Sequence, residues 1–259
     1  MKLEKNLVKE KLARGEVCYG TMLKMVKDPG IIPLCSVAGW DHVIFDTEHG
    51  DGDIETLNAL ALTAHYEDLT FLVRVPDKLY HQMARILDVG AEGLVLPRVD
   101  DRETAEKIIQ STKYWPLGSR GASISQNRTL FRPCPATEYM EWANRETLTV
   151  IQVESRESVK NLDEILSVQG IDAVLVGPFD LSTNLGVPGR FDHPLVEEAC
   201  EKVIEACRRR GVAPGIHMNT IEGVEKWRER GMRFLTYCYD SELLAAASRE
   251  ALSRLRSEG

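Results

Sequence analysis

Short apolar, β-branched runs alternate with longer amphipathic ones along the whole chain. The strand-like runs fall at 17–23, 42–45, 71–75, 93–96, 147–153, 173–176, 212–216 and 233–236. Between them, apolar residues recur at helical spacing over 54–65, 79–89, 102–111, 158–166, 194–210 and 221–230. In 242–255 the residues Leu244, Ala247, Ala251 and Leu255 mark one face of a last helix. Asp28-Pro29, Asp53, Asp101 and Ser155 stand where a side chain can cap a first helical turn. Eight such strand–helix units predict a (β/α)8 TIM barrel. An open doubly wound sheet would use fewer strands and a glycine-rich first turn, and no GxGxxG follows 17–23.

One interval breaks the rhythm. Near 113–135 the chain carries Pro116, Gly118, Gly121, Pro133 and Pro135 among Arg120, Ser123, Ser125, Gln126, Asn127, Arg128 and Arg132, and a short helical run at 137–143 follows. Long insertions in compact domains are functional loops or disordered segments. This basic one reads as an active-site loop inserted in a single barrel domain over residues 1–259, which an N-terminal helix precedes.

Length and composition agree with that picture. The chain has 259 residues, 43 % of them hydrophobic and 28 % charged, enough to bury a substantial core. Its 32 basic and 40 acidic residues leave a net charge of −8, which argues against nucleic acid or an anionic membrane surface as a general partner. Small acidic substrates, which feel only the local field, remain open. The apolar runs fall short of the roughly 20 residues a membrane helix needs, and the charged N-terminus lacks a secretory apolar stretch. Six cysteines without a CxxC pair, two of them (Cys200 and Cys207) on one helix face, read as buried reduced thiols of a cytoplasmic protein.

In a barrel the C-terminal ends of the strands carry the chemistry. Polar residues gather there: Asp46, Glu48 and His49 after the second strand, Arg74 in the third, Gln152 and Glu154 in and after the fifth, and Asp180 after the sixth. Two carboxylates in one mouth repel unless a divalent cation such as Mg²⁺ or Mn²⁺ joins them, so Glu154 and Asp180 are candidate metal ligands. First-turn helix acids would look the same in either position alone. Arg74 interrupts an apolar strand and is suited to an oxyanion or to a structural ion pair with Asp46 or Glu48. His49 is placed to act as a general base. The other histidines, His42, His65, His81, His193 and His217, read as structural, His217 least firmly because it follows the seventh strand. No GxSxG, HExxH or P-loop pattern occurs, and Lys24 is a weak candidate for a Schiff base. A divalent metal, an arginine and a histidine base suit proton transfer or C–C bond chemistry beside a 2-oxo acid.

Six segments in order carry a family resemblance: FDTEHG, the arginine of LVRVP, LDVGAEGLVLPRV, YWPLGSRG, VIQVES and LVGPFDLS. Together they resemble the HpcH/HpaI class II pyruvate aldolases, including the 4-hydroxy-2-oxoheptanedioate and 2-keto-3-deoxy sugar acid aldolases, from about Gly20 to Asp240. The resemblance implies a barrel of the phosphoenolpyruvate/pyruvate-binding type, a swapped C-terminal helix and a trimeric or hexameric homo-oligomer. It implies a divalent metal (Mg²⁺, Mn²⁺ or Co²⁺) on Glu154 and Asp180, and cleavage of a 4-hydroxy-2-oxo acid to pyruvate and an aldehyde. Arg74 would stabilise the enolate. His49 would be the acid/base, directly or through a metal-bound water, in a catalytic set with Asp46, and Asp88 would raise its basicity. Gln152 and the backbone around Phe179 would contact the pyruvoyl group. Arg120 and Arg128 would meet a second carboxylate, a phosphate or a neighbouring subunit.

The sequence departs from the family pattern at Gly50-Asp51-Gly52-Asp53, at Phe179 and in the aromatic strand end FLTYCYD, which leaves the aldehyde partner open. Oxaloacetate decarboxylation or macrophomate-synthase-like chemistry on the same site is the alternative reading, and a non-catalytic binding barrel a further one.

Overall fold

A computed structural model describes residues 3–124 and 127–257; Ser125 and Gln126 of the insertion lie outside them. In chain order the elements are α1 (Leu7–Ala13), β1 (Cys18–Leu23), α2 (Ile31–Ala38), β2 (His42–Asp46), α3 (Ile54–Ala64), β3 (Thr70–Arg74), α4 (Tyr80–Asp88), β4 (Gly93–Leu96), α5 (Arg102–Thr112), α6 (Ala136–Glu146) and β5 (Leu148–Val153). There follow α7 (Arg156–Lys160), α8 (Leu162–Ile165), β6 (Ala173–Val176), α9 (Pro178–Asn184), α10 (Pro194–Arg210), β7 (Ala213–Met218), α11 (Ile221–Glu229), β8 (Phe234–Tyr239) and α12 (Asp240–Ser257). The eight strands pair in parallel in sequence order and close, β8 on β1, into the expected (β/α)8 barrel.

Alternation across each strand builds two cores. Residues pointing inward, among them Met22, Ile44, Leu72, Val95, Val150, Leu175 and Phe234, fill the barrel, and Val8 of α1 plugs its lower end. Residues pointing outward, such as Phe45, Val73, Ile151 and Val176, meet the helices. Helix starts follow local chemistry. Asp53 accepts from Thr56 N–H, Asp101 from Thr104 N–H, and Ser155 and Ser158 form a reciprocal capping box. Each such cap contributes about 1 kcal/mol. Asp28 differs: its carboxylate accepts from Gly30 N–H one residue ahead of α2, which has no side-chain cap.

Three features depart from the periodicity. The single helix expected at 158–166 is two, because Asn161 leaves helical geometry and its amide donates to the Asp100 carbonyl at 2.8 Å. The eighth strand runs on to Tyr239, with Cys238 at φ 51° and a register shift against β1 between Gly20 and Met22. The insertion is tied away from the strand ends that carry the polar residues. Asn127 donates to Val89 O and to Asn58, Gly121 N–H donates to the Tyr80 hydroxyl, and Arg128 stacks on Trp142. Within the protomer it therefore braces the outside of α3, α4 and α6.

α12 carries its apolar stripe in the open. Leu244 and Leu255 are exposed, and among the described residues of that helix only Asp240 is buried. Of the six cysteines, all unpaired, five are buried and Cys134 is half-buried.

Candidate active site

The inward-facing positions at the upper ends of β2, β3 and β5 are polar, and they converge. Asp46 and Arg74 lie opposite one another in the β2–β3 register. Arg74 Nε donates to Asp46 Oδ1 at 2.9 Å and Nη2 to Oδ2 at 2.6 Å, a bidentate pair with Asp46 0 % and Arg74 6 % exposed. Glu48 adds a carboxylate 3.5 Å from Arg74 Nε. Burial alone would push the Asp46 carboxyl up. The hydrogen bonds and charge of Arg74, with N–H donation from His49 and Glu48, outweigh burial and hold it below the usual carboxylate range. Arg74 is held more firmly protonated than usual because its hydrogen bond to Asp46 and the surrounding negative groups outweigh the burial that opposes its charge. The structural ion pair and the functional arginine are thus one arrangement: Asp46 fixes the guanidinium, and Arg74 lines a cavity of about 270 Å³.

Glu154 is 7 % exposed just past β5. Its Oε1 accepts from Arg98 N–H at 2.7 Å and its Oε2 from the Gln152 amide. Burial raises its pKa, and the charges of Glu48 and Asp180 add to the rise. Asp180, in the first turn of α9, and Glu154 line one further cavity of about 320 Å³, with His49 bordering both spaces. Gly177 leaves room here, since a Cβ would lie 2.9 Å from Gln152 Nε2 and 3.1 Å from Glu154 Oε2. The donor set suits a hard divalent cation. The Asp180 charge adds to the rise in the Glu154 pKa, and Gln152 Oε1, beside Glu154, is buried with no partner. No cluster of three or more His, Cys, Asp or Glu ligands exists among the described residues. An ion here would rely on Glu154 and Asp180, completing its shell with water and substrate oxygens, as Mg²⁺ commonly does.

His49 follows the β2 end with its side chain 54 % exposed and Nε2 3.9 Å from Glu48 Oε2. Its implied partner Asp88 is elsewhere. Asp88 ends α4, where helices hand back to strands, and there it binds Arg120 at 2.6 Å. Arg120 is buried against the Tyr114 ring, 4.8 Å from its centroid, so in this protomer neither residue reaches the cavity expected to bind substrate. The physical reason is that α4 runs back down the barrel, which puts Asp88 at the end opposite His49. Gln152 and Phe179 do line the cavity, Phe179 largely exposed with its ring 6.4 Å from Phe191.

Three residues escaped the sequence reading. The Tyr239 hydroxyl accepts from Arg74 Nη2 at 3.1 Å. Arg98 takes a left-handed backbone (φ 54°) and donates to Glu48 at 2.9 Å. His217, read as structural, borders the cavity. The aromatic strand end was the only sequence signal for Tyr239.

Fold and site together define a (β/α)8-barrel enzyme. Residues 23–247 match the HpcH/HpaI aldolase/citrate lyase family. The chain is 34 % identical to the 4-hydroxy-2-oxo-heptane-1,7-dioate aldolase of Klebsiella pneumoniae subsp. pneumoniae over 96 % of this chain and 92 % of that protein. It superposes on an HpcH/HpaI aldolase from Desulfitobacterium hafniense DCB-2 with a TM-score of 0.92 at 35 % identity, covering 96 % of each chain. It also superposes on the citrate synthase SbnG with a TM-score of 0.88 at 27 % identity, covering 98 % of this chain and 99 % of that one. The chain belongs to the HpcH/HpaI aldolase/citrate lyase family and is a carbon–carbon lyase.

Proposed function

We propose that this protein is a metal-dependent aldolase that cleaves a 4-hydroxy-2-oxo acid to pyruvate and an aldehyde. One observation carries the reading: the cavity lined by the buried, carboxylate-locked Arg74 shares His49 and Asp180 with the adjoining cavity that Glu154 lines. Glu154 and Asp180 would hold Mg²⁺, Mn²⁺ or Co²⁺, which when bound supplies Lewis-acid polarisation of the 2-oxo group. Arg74 spends Nε and Nη2 on Asp46 and keeps Nη1 for the substrate. Its charge stabilises the negative charge that builds on the C2 oxygen as the C3–C4 bond breaks and its electrons form the enolate. His49 takes the proton of the C4 hydroxyl, the aldehyde leaves, and a proton added to C3 completes pyruvate. Gln152 and the backbone at Phe179 would hold the pyruvoyl end. The exposed leucines of α12 favour a homo-oligomer in which that helix packs on a neighbouring chain.

The test is pyruvate release from 4-hydroxy-2-oxo acids by the purified protein with each of the three metals. Chelation and Arg74→Ala should both abolish it. Unimpaired cleavage by a metal-free Glu154→Ala/Asp180→Ala variant would sink the proposal. Products from oxaloacetate separate cleavage from decarboxylation by the same enolate.

A further inference from the structure

The cavity beside Arg74 has a second polar wall that enolate formation leaves unused. Among the described residues, the side chains that line it and carry a buried nitrogen or oxygen without a hydrogen-bond partner are Gln152 and His217. Gln152 faces the carboxylate pair. His217 stands on β7, four strands round the barrel from Arg74 on β3 and therefore across the cavity from it. Its ring meets Tyr239 edge-on, with centroids 5.2 Å apart at 67°. His217 is half-buried, yet both ring nitrogens are shielded from solvent without a full hydrogen bond, and such groups in native structures call for a partner.

Asn219 is a weak hydrogen-bonding neighbour of the ring, and no hydrogen bond of full geometry fixes either nitrogen in its present orientation. A half-turn about χ2 exchanges nitrogen for carbon positions and brings a nitrogen to the cavity side. We infer that His217, with Tyr239 beside it, recognises the aldehyde half of the substrate, and that this half carries a hydroxyl group there. The inference rests on the aldolase reading above and adds the substrate class.

Charge and valence select a hydroxyl. Burial and the Arg74 charge push the His217 pKa down to about 4, with Asn219 and Asp46 pulling weakly the other way, so the ring is neutral at physiological pH. A neutral imidazole has one donor and one acceptor, which an alcohol answers with one of each. A carboxylate offers acceptors alone and an alkyl chain offers nothing. The Tyr239 hydroxyl accepts from Arg74, so its own proton is free for the same ligand oxygen. The nearby cations are not available to the aldehyde half, since Arg74 Nη1 is assigned to the 2-oxo end in the reading above. Arg74 is locked to Asp46, and Lys24 Nζ lies over the Tyr239 ring, 4.8 Å from its centroid, on a residue that does not line the cavity.

The experiment is aldol condensation of pyruvate with length-matched aldehydes: glycolaldehyde against acetaldehyde, D-glyceraldehyde against propanal, and succinic semialdehyde as the carboxylate arm. Oxaloacetate decarboxylation, which needs the enolate but no aldehyde, is measured alongside. The wild-type kcat/KM should favour each hydroxylated member by about tenfold or more. His217→Leu should bring the ratio to within about twofold, while His217→Gln, which keeps a donor and an acceptor, retains most of the preference. An equal ratio in wild type and His217→Leu overturns the inference, as does a preference for succinic semialdehyde over both hydroxyaldehydes. Failure to turn over oxaloacetate and every aldehyde overturns the enolate reading itself, and this inference with it.

Discussion

Replacing Asp46 with asparagine tests whether the site is built around its arginine. The change keeps shape and removes the charge. An amide NH₂ then faces one nitrogen of the guanidinium, so one of the two fork hydrogen bonds (2.9 and 2.6 Å) is lost. Breaking one side of a buried ion pair destabilises by about 3–5 kcal/mol, because the remaining charge is left uncompensated. Glu48, 3.5 Å from Arg74 Nε, retains part of the compensation, so about 2–4 kcal/mol is expected. Activity should fall on the order of a hundredfold, since a misaligned guanidinium no longer meets the developing oxyanion. Urea unfolding followed by circular dichroism gives the first quantity and pyruvate release the second. The double variant Asp46→Leu/Arg74→Met completes the design: with both charges gone it should recover most of the stability and none of the activity. A single variant within about 1 kcal/mol of wild type, or a double variant no more stable than the single, refutes the argument.

Two further outcomes follow from the same geometry. His42 is fully buried, stacked on Phe234 at 4.3 Å, and burial depresses its pKa to about 3, against about 6.5 in an unfolded chain. A depressed histidine is neutral when folded and takes up a proton on unfolding. Its contribution is therefore complete above pH ~6.5 and declines as pH falls toward the folded value, by up to about 1.4 kcal/mol per pH unit. His217 adds to the same slope, and His42→Gln should remove the His42 share between pH 6.5 and 4.5 in urea titrations; an unchanged slope contradicts the assignment. Gly177→Ala places a methyl against Gln152 Nε2 and Glu154 Oε2 and should weaken Mn²⁺ binding about tenfold by calorimetry, whereas unaltered affinity would separate Gly177 from the metal site.

Much of this protein was legible in its sequence because the governing rules are local. Periodicities of two and 3.6 placed eight strands and their helices, and two strands, at 93–96 and 173–176, match the expected limits to the residue. Asp46, Arg74, Gln152 and Glu154 were found because inward-facing polar residues at strand ends stand out against apolar runs. What the sequence could not decide depends on contacts between distant segments and on the direction in which elements run. The insertion reads as an active-site loop by composition, and which segments it touches within the protomer, Asn58, Tyr80 and Val89 of the helical layer, came only from the structure. Asp88 reads as a partner for His49 through the family resemblance; within the protomer its helix carries it to the other end of the barrel, where Arg120 binds it. Alternation would turn Cys238 inward after Phe234 and Thr236. The left-handed residue at Cys238 shifts the β8 register by one, and only that shift aims Tyr239 at Arg74. The sequence by itself determined the barrel and the inward-facing polar residues of its strand ends, because periodicity is written residue by residue. The second wall of the site, Tyr239 and His217, was decided by the tertiary structure, because a register shift and an unsatisfied ring exist only once the strands have closed.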